Sequence, residues 1–210
     1  FSYSNFDRMA KDIEDGCKIT VVGKKGVMEK PVIMTDMSIT VVGGGIGVST
    51  ALNVGPAGGF VVGDNSMLDV DMLKIDGYQG DSLFKVNGEG AKLVLGSGMW
   101  LSNIVGTNYY SGAVTVLKGT ADINSVLFAS CHAQGNYAGG YGGAIYLDSG
   151  AVLNINGCSI KGCSATSGGG GIYAYRDAVI NLKGIVTIRD NTKDNVLLYD
   201  TKTTNVTMAL

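Results

Sequence analysis

The chain has 210 residues, of which 33 are Gly, only 2 are Pro and 45% are hydrophobic, with a mean hydropathy of +0.21. Gly-rich linkers and disordered segments are poor in apolar residues, so here the glycines punctuate many short buried strands and leave little room for helix. A net charge of −2, from 16 basic and 18 acidic residues, gives no electrostatic case for nucleic acid, and no run of 18 apolar residues offers membrane insertion by this segment.

Residues 1–16 read as the one helix. Ser4 is placed as its N-cap with Asp7 three residues on, Phe6, Met9, Ala10 and Ile13 recur at helical spacing, and Gly16 supplies the stop. Its apolar stripe is about three turns long, too short to stand alone, and is expected to cap the end of whatever follows. The opening Phe1-Ser2-Tyr3-Ser4 lacks the charged and apolar regions of a signal peptide, so the chain is expected to begin inside a longer or processed protein.

From Cys17 the apolar period changes to two. Ile19-Thr20-Val21-Val22, Val32-Ile33-Met34 and Ile39-Thr40-Val41-Val42 read as short strands divided by Gly, Lys, Asp or Pro. Val42-Gly43-Gly44-Gly45-Ile46-Gly47 loosely resembles a dinucleotide-binding turn. With no helix or βαβ unit around it, the run reads as a turn between strands.

Internal repetition separates a solenoid from a sandwich or barrel. Gly142-Gly143-Ala144-Ile145-Tyr146-Leu147 matches Gly169-Gly170-Gly171-Ile172-Tyr173-Ala174 at an offset of 27, and Ala151–Ile155 matches Ala178–Leu182 at the same offset. A bulky apolar residue followed three positions later by Asn or Cys marks the same units: Trp100 and Asn103, Phe128 and Cys131, Ile160 and Cys163, Ile188 and Asn191, with Ile75 and Tyr78 a degenerate earlier copy. One such unit cannot bury its apolar face, so its neighbours supply the missing wall. Alternation then points Val114/Val116, Ile145/Leu147, Ile172/Ala174 and Val196/Leu198 inward as one ladder. Leu93/Leu95, Leu153/Ile155, Ile180/Leu182 and Val206/Met208 form a second. Trp100 and Phe128 should fill the third side, and Asn103, Cys131, Cys163 and Asn191 should stack at a turn. The fold class that results is all-β: a right-handed, single-stranded parallel β-helix over 17–210, continuous with the N-terminal capping helix as one domain.

At these motifs the chain resembles the polymorphic outer-membrane-protein repeats of the chlamydial type, with their Gly-Gly-Ala-Ile and Phe-x-x-Asn tetrads. The first tetrad is literal at Gly142-Gly143-Ala144-Ile145. The second is approximate at Phe128-Ala129-Ser130-Cys131. The chain is still more similar to Gly-Gly-Gly-Ile-Tyr repeats of adhesin-like surface proteins. The resemblance covers about residues 38–210 and implies a secreted, pectate-lyase-like β-helix used in adhesion, with no catalytic residue to carry over.

Three constellations compete for chemistry. Asp64, Asp69, Asp71, Asp76 and Asp81 form the one acidic cluster. Asp69 and Asp71 should share the outward side of a strand, which suits Ca²⁺, and the fold resemblance implies lyases that pair Ca²⁺ with a basic residue such as the nearby Lys74. The plainer reading is a solvated strand face with no cofactor. Cys131 and His132 are neighbours on a strand and should point to opposite sides, so Cys131 reads as a packing residue, with a Cys131–Cys163 disulfide or two reduced core thiols both open. One His and four Cys match no zinc-binding spacing. Tyr146 and Tyr173 align on the outward side, with Tyr109, Tyr110, Tyr137 and Tyr141 in longer turns nearby. Tyr146, Tyr173, Tyr137 and Tyr141 are therefore the candidate binding surface, against the simpler account of cross-strand stacking.

The functional expectation is a non-enzymatic adhesin or structural stalk at the cell surface or outside the cell. Its partner would be a host or microbial surface glycan or protein, with end-to-end self-association through the strand-like Asn205–Leu210 as a further expectation. The alternatives are a polysaccharide lyase or glycoside hydrolase, and a self-assembling filament subunit.

Overall fold

The computed structural model describes residues 6–22, 27–45, 49–110, 112–135, 139–200 and 205–209. Parallel strands coil into a β-solenoid of about six turns. Each turn contributes short strands to successive faces, and each face is a ladder running along the coil. The first face stacks Pro31–Met34, Gly59–Val62, the start of Phe84–Leu95, the start of Val114–Asn124, Ile145–Leu147, Ile172–Ala174 and Val196–Leu198. The second stacks Cys17–Val21, Ser38–Gly43, Met67–Asp71, the ends of the same two long strands, Val152–Asn156, Val179–Lys183 and Asn205–Ala209. The third runs from Thr50–Ala51 through Leu73–Asp76, Trp100–Ser102, Leu127–Ala129 and Ser159–Lys161 to Thr187–Arg189. A narrow fourth face joins Gln79–Gly80, Val105–Gly106, His132–Ala133 and Ser164–Ala165.

The inward ladders follow the alternation. Val114, Ile145 and Ile172 stack in register and are wholly buried, as are Val116, Leu147 and Ala174. The column ends at Val196, which is 37% exposed in the last turn. Phe60 and Phe84 continue it in the other direction with rings stacked 5.4 Å apart. On the second face Leu68, Leu93, Ala121, Leu153 and Ile180 form one column, so the turn that carries Ala121 and Ile123 fills the gap left between Leu95 and Leu153. Each fully buried Val, Leu or Ile contributes about 1.5–3 kcal/mol, and only stacking buries it.

Two expectations are corrected. The helix is shorter than 1–16: an α turn at Phe6–Met9 runs into a 3-10 turn at Ala10–Asp12, and Ile13 is already extended. Met9, Ala10 and Ile13 pack against the core, so a single short stripe suffices. Asp7 accepts hydrogen bonds from the backbone N–H groups of Glu29 and Lys30, both at 3.1 Å, which ties the helix to the next turn. Ser4 lies outside the described residues. Gly16, at φ +75°, turns the chain into Cys17–Val21.

The marker of a bulky residue before Asn is also one position out of phase at Trp100. Leu101 aligns with Ile75, Phe128, Ile160 and Ile188 and is fully buried, whereas Trp100 lies outside at 42% exposure. Ile104, not Asn103, is then the neighbour of Cys131, and Tyr78 precedes Ile104 in that column. Asn103 sits exposed at φ +52° and donates to Asp76 Oδ1 at 2.8 Å. The expected Asn ladder reduces to Asn191, whose Oδ1 accepts the Cys163 N–H at 2.8 Å.

Candidate functional site

The outer side of the first face carries the feature with the most to offer chemically. Alternation sends Ile33, Val61, Lys85, Thr115, Tyr146, Tyr173 and Leu197 outward in one column. Tyr146 and Tyr173 face each other across adjacent turns with ring centroids 5.5 Å apart and planes 4° apart, as strand spacing dictates.

These two rings do not meet solvent, contrary to expectation: each is only 4% exposed. Residues from neighbouring turns fold over them. Tyr110 packs on Tyr146 at 4.9 Å, Tyr141 packs on Tyr173 at 4.7 Å, and Tyr109 lies 5.3 Å from both Tyr110 and Tyr141. Tyr199 stacks on Tyr173 at 6.2 Å and on Tyr175 at 5.4 Å. The result is a wall two rings deep, with Tyr146 and Tyr173 as its inner layer. Its accessible part is Tyr109, 51% exposed, and Tyr199, 50% exposed.

Tyr141 therefore belongs to the site, and Tyr137 lies outside the described residues. Tyr175 and Tyr199 were missed by sequence reasoning. Each stands two residues beyond an outward residue, Tyr173 or Leu197, so the period of two was the available signal.

The wall is apolar at its base and edged by two ion pairs. Burial pushes the phenols of Tyr146 and Tyr173 well above their ordinary value, and burial followed by the neighbouring Tyr141 raises Tyr109. Lys85 lies over the Tyr110 ring at 5.8 Å and is paired with Asp81 at 3.3 Å. Arg176 lies over Tyr175 at 5.4 Å and pairs with Asp200 at 2.9 Å. Such a surface offers aromatic faces for stacking and phenol groups for hydrogen bonds.

The acidic cluster disperses around the coil. Asp69 and Asp71 do share the outward side of Met67–Asp71, half-buried, and burial followed by the charge of Asp71 raises the Asp69 carboxyl. Asp76 accepts from Ser102 Oγ at 2.7 Å as well as from Asn103, and Asp64 accepts from the Glu89 N–H at 2.6 Å. Lys74 lies over Trp100 at 4.4 Å on the third face. Among the described residues no three His, Cys, Asp or Glu side chains converge to hold a metal ion.

Cys131 is fully buried, while His132 points away from the core and its Nδ1 meets Ser164 Oγ at 2.5 Å. Cys131 and Cys163 are free thiols, and the neighbouring Cys163 together with burial pushes the Cys131 thiol up. That is a packing column. Among the described residues no helix is long and apolar enough to cross a membrane.

Fold and site together define a parallel β-solenoid with one tyrosine-covered outer wall. No family model, curated protein or solved structure matches the chain.

Proposed function

We propose that this chain is a non-enzymatic segment of a secreted or cell-surface β-solenoid, acting as an adhesin or structural stalk. Its tyrosine wall is the contact surface for a glycan or protein on another surface. The observation that carries this reading is the two-layer wall itself. The buried pair Tyr146 and Tyr173 backs the half-exposed Tyr109 and Tyr199 with rigid aromatic packing. Tyrosine supplies large amphipathic contact area at low entropic cost because few of its torsions need fixing. The resemblance of Gly169-Gly170-Gly171-Ile172-Tyr173 to the Gly-Gly-Gly-Ile-Tyr repeats of adhesin-like surface proteins points the same way.

Binding to glycan arrays and to intact host and microbial cells tests the reading. Tyr109→Ala combined with Tyr199→Ala should weaken binding about tenfold or more, with the fold retained because both side chains are half-exposed. Binding that is unchanged in this variant removes the wall as the contact. Turnover of an acidic polysaccharide, lost in Asp71→Ala, would replace the adhesive reading by the enzymatic one.

A further inference from the structure

The outer side of the second face carries a different surface, polar rather than aromatic. On Val114–Asn124, Val152–Asn156 and Val179–Lys183 the register sets two outward columns, Asp122–Asn154–Asn181 and Asn124–Asn156–Lys183. Neighbours within a column lie one strand spacing apart, about 4.8 Å, and the two columns stand about 6.7 Å apart along each strand. A shallow groove of about 480 Å³ lies over these residues. It continues past Lys92 towards Glu89 and Lys118 through a second stretch that shares Asp122 and Asn154.

The first column is bonded head to tail. Asn181 Nδ2 donates to Asn154 Oδ1 at 2.7 Å, Asn154 Nδ2 donates to Asp122 Oδ1 at 2.6 Å, and Lys92 Nζ pairs with Asp122 Oδ2 at 2.8 Å. A side-chain amide has two N–H donors and two acceptor lone pairs, and the ladder uses only part of this set. The rest is held in fixed orientation by the ladder. Charge along the groove is largely internal: Lys92 neutralises Asp122, and Lys118 pairs with Glu89 at the far end.

We propose that this groove binds an extended, uncharged glycan chain lying along the solenoid axis. A sugar hydroxyl both donates and accepts, which matches amides presenting both roles. A repeating lattice of such groups suits a repeating polymer. A polyanion would meet the carboxylate of Asp122, with Lys183 as its main unpaired attraction. The amides are already oriented, so little ordering opposes binding. This inference stands apart from the tyrosine wall.

The test titrates the purified protein with neutral hexasaccharides of glucose, mannose and N-acetylglucosamine, and with hexagalacturonate, using calorimetry. Saturable binding of a neutral hexamer is expected, tighter than that of hexagalacturonate. Asn154→Ala with Asn181→Ala should weaken it about tenfold. Asn156→Ala, exposed and outside the ladder, should weaken it roughly threefold without touching the fold. Tyr109→Ala with Tyr199→Ala should leave it unchanged, which separates this groove from the wall. The inference is overturned if no neutral hexamer binds at millimolar concentration, if hexagalacturonate binds tighter, or if Asn156→Ala binds as the parent protein does.

Discussion

Two consecutive glycines at 142–143 and again at 169–170 meet two separate demands. Gly142 and Gly169 hold φ values of +68° and +64°, left-handed values that cost an L side chain about 1–2 kcal/mol. Their successors are constrained by space. A Cβ on Gly143 would stand 2.2 Å from the Gly170 carbonyl oxygen, and one on Gly170 would stand 2.0 Å from that of Thr192. These are backbone atoms of the next turn, so they cannot swing aside. The motif is thus a place where one turn passes too closely over another for any side chain. Gly170→Ala should cost about 3 kcal/mol or more. Gly150→Ala, at φ +74° with open space around it, should cost only about 1–2 kcal/mol. Urea unfolding midpoints compare the two, and equal losses would remove the steric account. The repeat was legible in the sequence as a pattern, whereas its cause lies between turns, where no single unit displays it.

At the scale of the strand, length decides what alternation can reveal. Strands of five residues such as Val152–Asn156 show their inward side plainly, and the expected ladders there match the register. On the third face each strand from Trp100–Ser102 onward has only three residues, too few to fix the phase, and the bulk of Trp100 pointed the wrong way. Phe128→Ala should cost about 3–5 kcal/mol, because it empties a fully buried position between Leu101 and Ile160. Trp100→Ala removes a larger side chain but should cost about 1 kcal/mol, because Trp100 rests outside against Lys74. Chemical denaturation of both variants checks this, and a larger loss for Trp100→Ala would restore the original phase.

The two long strands escaped a similar reading. Phe84–Leu95 rounds a corner through register shifts between Val86 and Lys92, and Val114–Asn124 follows it past Gly119, so one strand serves two faces. The site was legible to the same depth. Alternation assigned Tyr146 and Tyr173 to the outer side, but it specifies direction relative to the sheet and carries no information on what folds over it.

Across the whole molecule the tyrosine wall makes stability depend on alkaline pH. Phenols titrate near pH 10 in an unfolded chain, and burial raises those of Tyr78, Tyr146 and Tyr173 in the folded one. Above that pH the folded state holds protons that the unfolded state has released. Stability is therefore fully present below about pH 10 and is lost as pH rises through the folded values. In a solenoid each turn is held mainly by its neighbours, so strain in the turns carrying Tyr146 and Tyr173 spreads along the coil. The buried phenols should therefore ionise above pH 10 in one step, together with loss of the β-sheet circular dichroism signal. Tyr146→Phe with Tyr173→Phe keeps the stacked rings but removes two ionisable groups, and should move that step to higher pH. Tyr199→Phe, at the exposed edge, should move it much less. Ionisation of all the phenols near pH 10 with the dichroism signal intact would mean that the inner phenols meet solvent, and the two-layer wall would not stand.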